Sequence, residues 1–298
     1  MMRLQTGVAL ITVLLILALA TVAVVSLSTE RQMDIRRMDN QLRNTEAWSH
    51  VQGIERWAMQ RLRDGAKGGQ TLKLATGTAT LTARIDDLQN RLNINNLIVD
   101  GEVSKPDVAR LKRLMGFVKA DAAVLDSVLD WLDADSDPRG KQGAEDDFYS
   151  KQQPPYRAAN RNVTDLSELL LLNGMTRETY DKLAPYLVAI DGYAPVNVNT
   201  AEAMVLRCLA DDISADRAAS ITRASGKPFK ALDDFFADEA VTGSGIDKYG
   251  LTVGSLHYVV TGAVDMGRVR LAFESYLDKG KDDKIDVVRR IRTGWQHD

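Results

Sequence analysis

The sequence is short of the residues that staple a fold or power a reaction. Its one cysteine, Cys208, excludes an internal disulfide and a cysteine zinc cluster. Three histidines, His50, His257 and His297, lie far apart and share no spacing that binds a metal or relays a proton. No P-loop, Gly-X-Ser-X-Gly or dinucleotide fingerprint is present, so the chain reads as a non-enzyme. Positive charge is not in surplus either: 38 Lys and Arg face 41 Asp and Glu, a net charge of −3. That balance disfavours binding to phosphate backbones, and no nucleic acid is expected as a partner. There is no proline before Pro106 and no charged side chain from Leu4 to Thr29. At 298 residues one core usually stops growing, so two folded lobes are expected.

What is present begins with the apolar run Val8–Leu27. Twenty helical residues at about 1.5 Å each give roughly 30 Å, the thickness of a bilayer's hydrocarbon core. Residues 8–28 are therefore read as a single transmembrane helix, too long for the apolar part of a cleaved secretory signal. The helical rhythm continues beyond it through Met38, Leu42, Ala47, Val51, Ile54, Ala58 and Leu62, until Gly65, Gly68 and Gly69. The expected result is one rod of about 55 residues, half in lipid or in a bundle and half on a folded head.

Alternation around Gly77 (Leu72, Leu74, then Ala79, Leu81, Ala83, Ile85) predicts a hairpin, and strand periodicity returns in 256–264, 268–277 and 285–292. Between them the periodicity is helical: 105–119, 122–132, 165–172, 177–190, 201–209, 215–223 and 232–237. The expected class is α+β, a long N-terminal helix on an antiparallel sheet with a large all-α domain inserted between its strands. The boundaries read as 29–96 for the helix and first strands, 97–254 for the insertion and 255–298 for the returning strands. No repeat of fixed period is visible. Cys208, between Leu206 and Leu209 on a short helix, is expected to be buried.

The densest chemistry lies in Asp130–Pro138 and Gly143–Asp147. Asp133, Asp135 and Asp137 alternate as ligands do when a loop curls round a hard cation, and Glu145, Asp146 and Asp147 supply an opposite side. Calcium is the natural candidate, since zinc would want His or Cys nearby. The spacing is not that of an EF-hand: counted from Asp133, position six is Pro138 where that loop needs Gly. A solvated acidic loop with no ion is the alternative. The stretch from Asn197–Ala201 to Asp233–Phe235 resembles helix-hairpin-helix modules. Asp211–Asp212 replace the phosphate-approaching glycines of those modules, so a structural use is expected.

The leader MMRLQTG resembles that of type IV prepilins, which prepilin peptidase cuts after glycine; here that means after Gly7, leaving a methylated Val8. Pilins usually carry Glu at the fifth mature position, where this chain has Thr12; the lack of a carboxylate needing a partner ahead suggests a filament tip, the alternative being an ordinary membrane-helix threonine bonded to its own backbone. Together with Leu92–Leu97, the block 130–149, Tyr156–Arg161 and Asn197–Ala201, the chain resembles the K-type minor pseudopilins of type II secretion systems. That resemblance implies a type IV pilin-like fold and a bacterial inner-membrane, single-pass protein with a periplasmic domain, placed at the pseudopilus tip and supporting export across the outer membrane. It also implies calcium in the acidic loop and a complex with minor pseudopilins I and J. The major pseudopilin, the inner-membrane assembly platform, prepilin peptidase and secreted substrates are further expected partners. A minor pilin of a surface type IV pilus and a membrane-tethered DNA-uptake protein are the alternative readings.

Overall fold

A computed structural model describes residues 5–222, 227–280 and 282–294. The first helix, α1, runs from Gln5 to Arg63 without interruption. It ends as the glycines require. Gly65, at φ 89°, turns the chain into the left-handed region, and Ala66 N–H reaches back to Arg61 O while Gly65 N–H reaches Leu62 O. This closing pair satisfies carbonyls that the helix itself leaves free.

Only the last turns of α1 have a partner. Ala47, Val51, Ile54, Ala58 and Leu62, spaced by three or four, are buried against the sheet, whereas Met38 and Leu42 continue the same stripe and are exposed. The sheet has order β1-β2-β9-β10-β11, all antiparallel. It is built from β1 (Thr71–Ala75), β2 (Thr80–Asp87), β9 (His257–Asp265), β10 (Arg270–Lys279) and β11 (Ile285–Thr293). Alternation puts Leu81, Ala83 and Ile85 of β2, Val260 and Val264 of β9, and Leu271, Phe273 and Leu277 of β10 under the helix. Beneath them Glu55, 3% exposed, receives Arg290 Nε at 2.6 Å, Arg290 Nη2 at 2.9 Å and Ser275 Oγ at 2.7 Å, fastening helix to sheet.

The described residues between β2 and β9 form the inserted lobe, with its own core. In order come β3 (Leu92–Asn93), β4 (Ile98–Val99), β5 (Glu102–Val103), α2 (Lys105–Phe117), α3 (Val124–Leu132), α4 (Asp146–Tyr149), α5 (Arg177–Leu183) and β6 (Leu187–Val188). Then follow β7 (Val196–Asn197), α6 (Ala203–Arg207), α7 (Ala215–Ile221), α8 (Leu232–Phe236) and β8 (Leu251–Thr252). The lobe is helical with three two-residue ladders, which the helical reading of 97–254 did not include. The lobe core also reaches back to Leu92 and Ile94. The stretch 177–190, expected as one helix, breaks at a 3-10 turn containing Pro185 and ends as β6, because Leu187 and Val188 pair with Leu92 and Asn93. Residues 165–172 form a 3-10 turn, Leu166–Leu171. Arg223, the last residue of the helix expected over 215–223, lies outside the described residues.

The lobe is two versions of one unit, although the sequence shows no fixed period. In the first, β3 pairs in parallel with β6; in the second, β7 pairs in parallel with β8. Asn95 donates to Val163 O and Ile190 O and accepts from Val163 N–H. Asn199 repeats the pattern with Phe229 O, Val253 O and Phe229 N–H. Three residues after Val163 and after Phe229 a short helix starts under a back-reaching carboxylate: Glu168 accepts from the N–H groups of Thr164 and Asp165, and Asp234 from those of Lys230 and Ala231. Asp87, at the end of β2, joins sheet to lobe. It is buried and accepts from Ser255 and Thr200 hydroxyls, the Asn197 amide and Gln89 N–H; burial pushes its carboxyl up, and these bonds oppose the shift.

Candidate metal centre and membrane rod

Helix α3 is apolar on every turn, which drives it into the lobe core and carries Asp130, with no exposure, into the interior. A buried carboxylate needs donors. Asp130 takes the backbone N–H groups of Arg139 and Ala144, so the chain after α3 is folded back over it. Gly143 sits in the fold-back, where a Cβ would collide with the Arg139 backbone and the Asp130 carboxylate. Aromatic packing fixes the other wall. Trp131 meets Tyr149 edge-on at 5.3 Å between ring centroids, and Tyr149 stacks on Tyr156 at 5.1 Å. Tyr149 is the last residue of α4 and Glu145 its N-cap, so docking the tyrosine brings Glu145 up to Asp133, the C-cap of α3.

The result is a cluster in which one oxygen each of Asp133, Asp135 and Glu145 lie within 4.8 Å of one another. Asp133 and Glu145 are each 5% exposed, and Asp133 Oδ1 and both oxygens of Glu145 have no hydrogen-bond partner. Desolvation, reinforced by the neighbouring carboxylates, pushes the Glu145 carboxyl up to about 7. Asn160, beside the cluster with its amide donating to Asp135 O at 2.8 Å, also has a buried side-chain oxygen without a partner. Four buried, unpartnered oxygens beside an exposed carboxylate are a donor set for a hard cation.

Of the six expected ligands, three come together. Asp137 gives its backbone N–H to Asp135 Oδ1 in a local turn. Asp146 accepts from Ala158 N–H and lies 3.8 Å from the Arg157 guanidinium, and Asp147 is exposed on α4. Asp130, inside the acidic block but outside those six, Asn160 and Arg139 are further members of the site. Asn160 lies in the Tyr156–Arg161 stretch, and a single amide there has no ligand spacing to mark it in the sequence.

The other expected features have plain positions. Gly7 and Val8 fall in α1, while residues 1–4 of the leader lie outside the described residues, as does His297. Thr12 donates its hydroxyl to Ala9 O, 2.9 Å away in its own helix, so it asks nothing of a neighbour. The segment from Ala9 onward is the one helix among the described residues long and apolar enough to cross a membrane. Cys208 is buried and its thiol pushed up to about 12 by that burial. Asp211, in the hairpin between α6 and α7, is paired with Arg113, which also donates to Cys208 O, so the acidic hairpin is fastened to α2. His257 pairs with Asp278 at 2.8 Å.

Two family models match, both described as type II secretion system, protein K, over residues 90–192 and 196–254. A type II secretion system protein K from Pseudomonas aeruginosa is 36% identical over 97% of this chain and 93% of its own. One from Aeromonas hydrophila is 28% identical over 98% of each. Among solved structures, a chain of the GspK-GspI-GspJ complex from the enterotoxigenic Escherichia coli type 2 secretion system matches with a TM-score of 0.76. It shares 19% identity and covers 87% of this chain and all of its own, a likeness of fold.

Proposed function

Because the chain belongs to the type II secretion system protein K family, we propose that it caps the pseudopilus tip with minor pseudopilins I and J and so supports export across the outer membrane. The observation that carries this reading is the division of α1. Its first half is apolar and uncovered, Leu10 to Leu27 with Met38 and Leu42 beyond, while its second half holds a sheet that carries the lobe. An uncovered apolar half must enter lipid or a bundle of like helices. The lobe adds well over a hundred residues to one end of such a bundle and blocks a further subunit by its bulk.

In this role the chain is a structural component. It crosses the inner membrane once with its folded part in the periplasm, after prepilin peptidase has cut behind Gly7 and Val8 has become the methylated N-terminus. Thr12 brings no carboxylate that needs a partner ahead of it, which suits a terminal position; its hydroxyl bonds its own backbone, as those of Thr21 and Thr29 do. The acidic cluster fits calcium. Asp133, Asp135 and Glu145 would hold it with Asn160 alongside, since these are hard oxygens left unpaired in a buried place. Calcium supplies the positive charge that lets these carboxylates share one pocket and so braces the fold-back after α3.

The test is co-elution of the purified periplasmic part with the I and J partners, together with loss of secretion on deletion of the gene. A protein that elutes alone in the presence of both would refute the tip reading. Mass spectrometry of the mature protein should find it beginning at Val8.

A further inference from the structure

The acidic cluster already contains a cation of its own. Arg139 sends Nε to Asp133 Oδ2 at 2.9 Å and Nη2 to the same oxygen at 2.5 Å. It lies 3.5 Å from Asp130 and 4.0 Å from Asp135. Both bonds to Asp133 fall on one oxygen, and the other is left bare. Its backbone is held as firmly as its side chain, by N–H bonds to Asp130 and by Gly143 N–H on its carbonyl. Glu145, on the other side, receives no bond from it and keeps both oxygens unpaired.

We propose that Arg139 is a built-in counter-cation: it keeps the acidic loop folded when no metal is bound, and by its charge it holds the site's affinity for a divalent ion down. This rests on the calcium reading above and goes beyond it. Removing the guanidinium leaves Asp130, Asp133, Asp135 and Glu145 to repel one another in a poorly hydrated pocket, so the metal-free loop loses stability. The same removal deepens the negative potential that a divalent ion experiences. A full charge lost beside such an ion, at a partly solvated site, changes affinity on the order of tenfold. The two effects have one cause and opposite signs, so Arg139 narrows the difference between the metal-free and metal-bound protein. A residue that merely packed the loop would lower stability in both states and would weaken binding.

The experiment compares wild type, Arg139→Gln, Arg139→Lys, Asp133→Asn and the Arg139→Gln, Asp133→Asn pair as full-length protein in detergent. Melting temperature is measured after chelation and in saturating calcium, and calcium affinity by titration calorimetry. Arg139→Gln should melt several degrees lower without metal, bind calcium on the order of tenfold more tightly, and regain wild-type melting once calcium is saturating. Arg139→Lys should stay close to wild type, and the paired substitution should recover metal-free stability that Arg139→Gln alone loses. If Arg139→Gln folds only with calcium, that is the same result in stronger form. Unchanged metal-free melting, weaker calcium binding, or failure to recover in saturating calcium overturns the proposal. A wild-type protein that binds no calcium refutes the calcium reading instead, and the metal-free comparison of the single and paired variants still judges the counter-charge.

Discussion

Replacing Arg290 with Met should cost the head far more than its position suggests. Arg290 lies on the outermost strand with its side chain 45% exposed, where a substitution ordinarily changes stability by less than about 0.5 kcal/mol. Its partner is the reason for the difference. Glu55 is 3% exposed under the sheet, and without the guanidinium's bonds at 2.6 and 2.9 Å it keeps only the Ser275 hydroxyl at 2.7 Å. Stranding a buried carboxylate in this way costs about 3–5 kcal/mol. Removing both charges, as Glu55→Leu with Arg290→Met, replaces the pair by apolar contact with Ala47–Leu62 neighbours and should return most of that loss, because a buried ion pair and a well-packed apolar pair are often close in stability. The assay is urea unfolding of the periplasmic part, with tryptophan fluorescence of Trp48 and Trp57 reporting on the helix and sheet. A loss under about 1 kcal/mol for Arg290→Met, or a double variant no more stable than the single, would show that Glu55 reaches solvent by itself and that the fastening is superficial.

Other outcomes are equally specific. Chelation should lower the melting temperature, and Asp133→Ala with Glu145→Ala should abolish the effect of calcium; unchanged melting after thorough chelation would remove the ion. Asn95→Ala and Asn199→Ala, read by urea unfolding, should each cost about 1–3 kcal/mol, because each removes the side chain that bonds one N–H and two carbonyls. The metal-free protein should lose stability as pH rises from about 4.5 to about 7. Glu145 keeps its proton up to about 7 when folded but releases it near 4.5 when unfolded, so the folded state's advantage is complete below the lower value and gone above the higher one. A thermal melt series should show that slope, and saturating calcium should flatten it.

The length of α1, its exit from the apolar run and its stop at Gly65 were legible in the sequence, since helix continuity depends on local residues and the glycine's backbone freedom is its own property. The sheet strands were legible for a similar reason: alternation of period two is a local signal, and Leu81, Ala83 and Ile85 declare their buried face without knowledge of what covers it. The acidic residues could be seen as a group, because chain proximity brought them together first. What the sequence could not decide was which of them meet. Glu145 joins Asp133 because Tyr149 docks between Trp131 and Tyr156, and Asp146 turns away to Ala158; these outcomes depend on side chains distant along the chain. The duplicated unit was hidden in the same way. Asn95 and Asn199 hold equivalent bonds, but the segments between their partners differ in length, so no period survives. Short parallel ladders such as β3 with β6 carry almost no local pattern, and they exist only because the folded lobe brings Leu92 to Leu187 and supplies the hydrogen bonds that neither segment has alone.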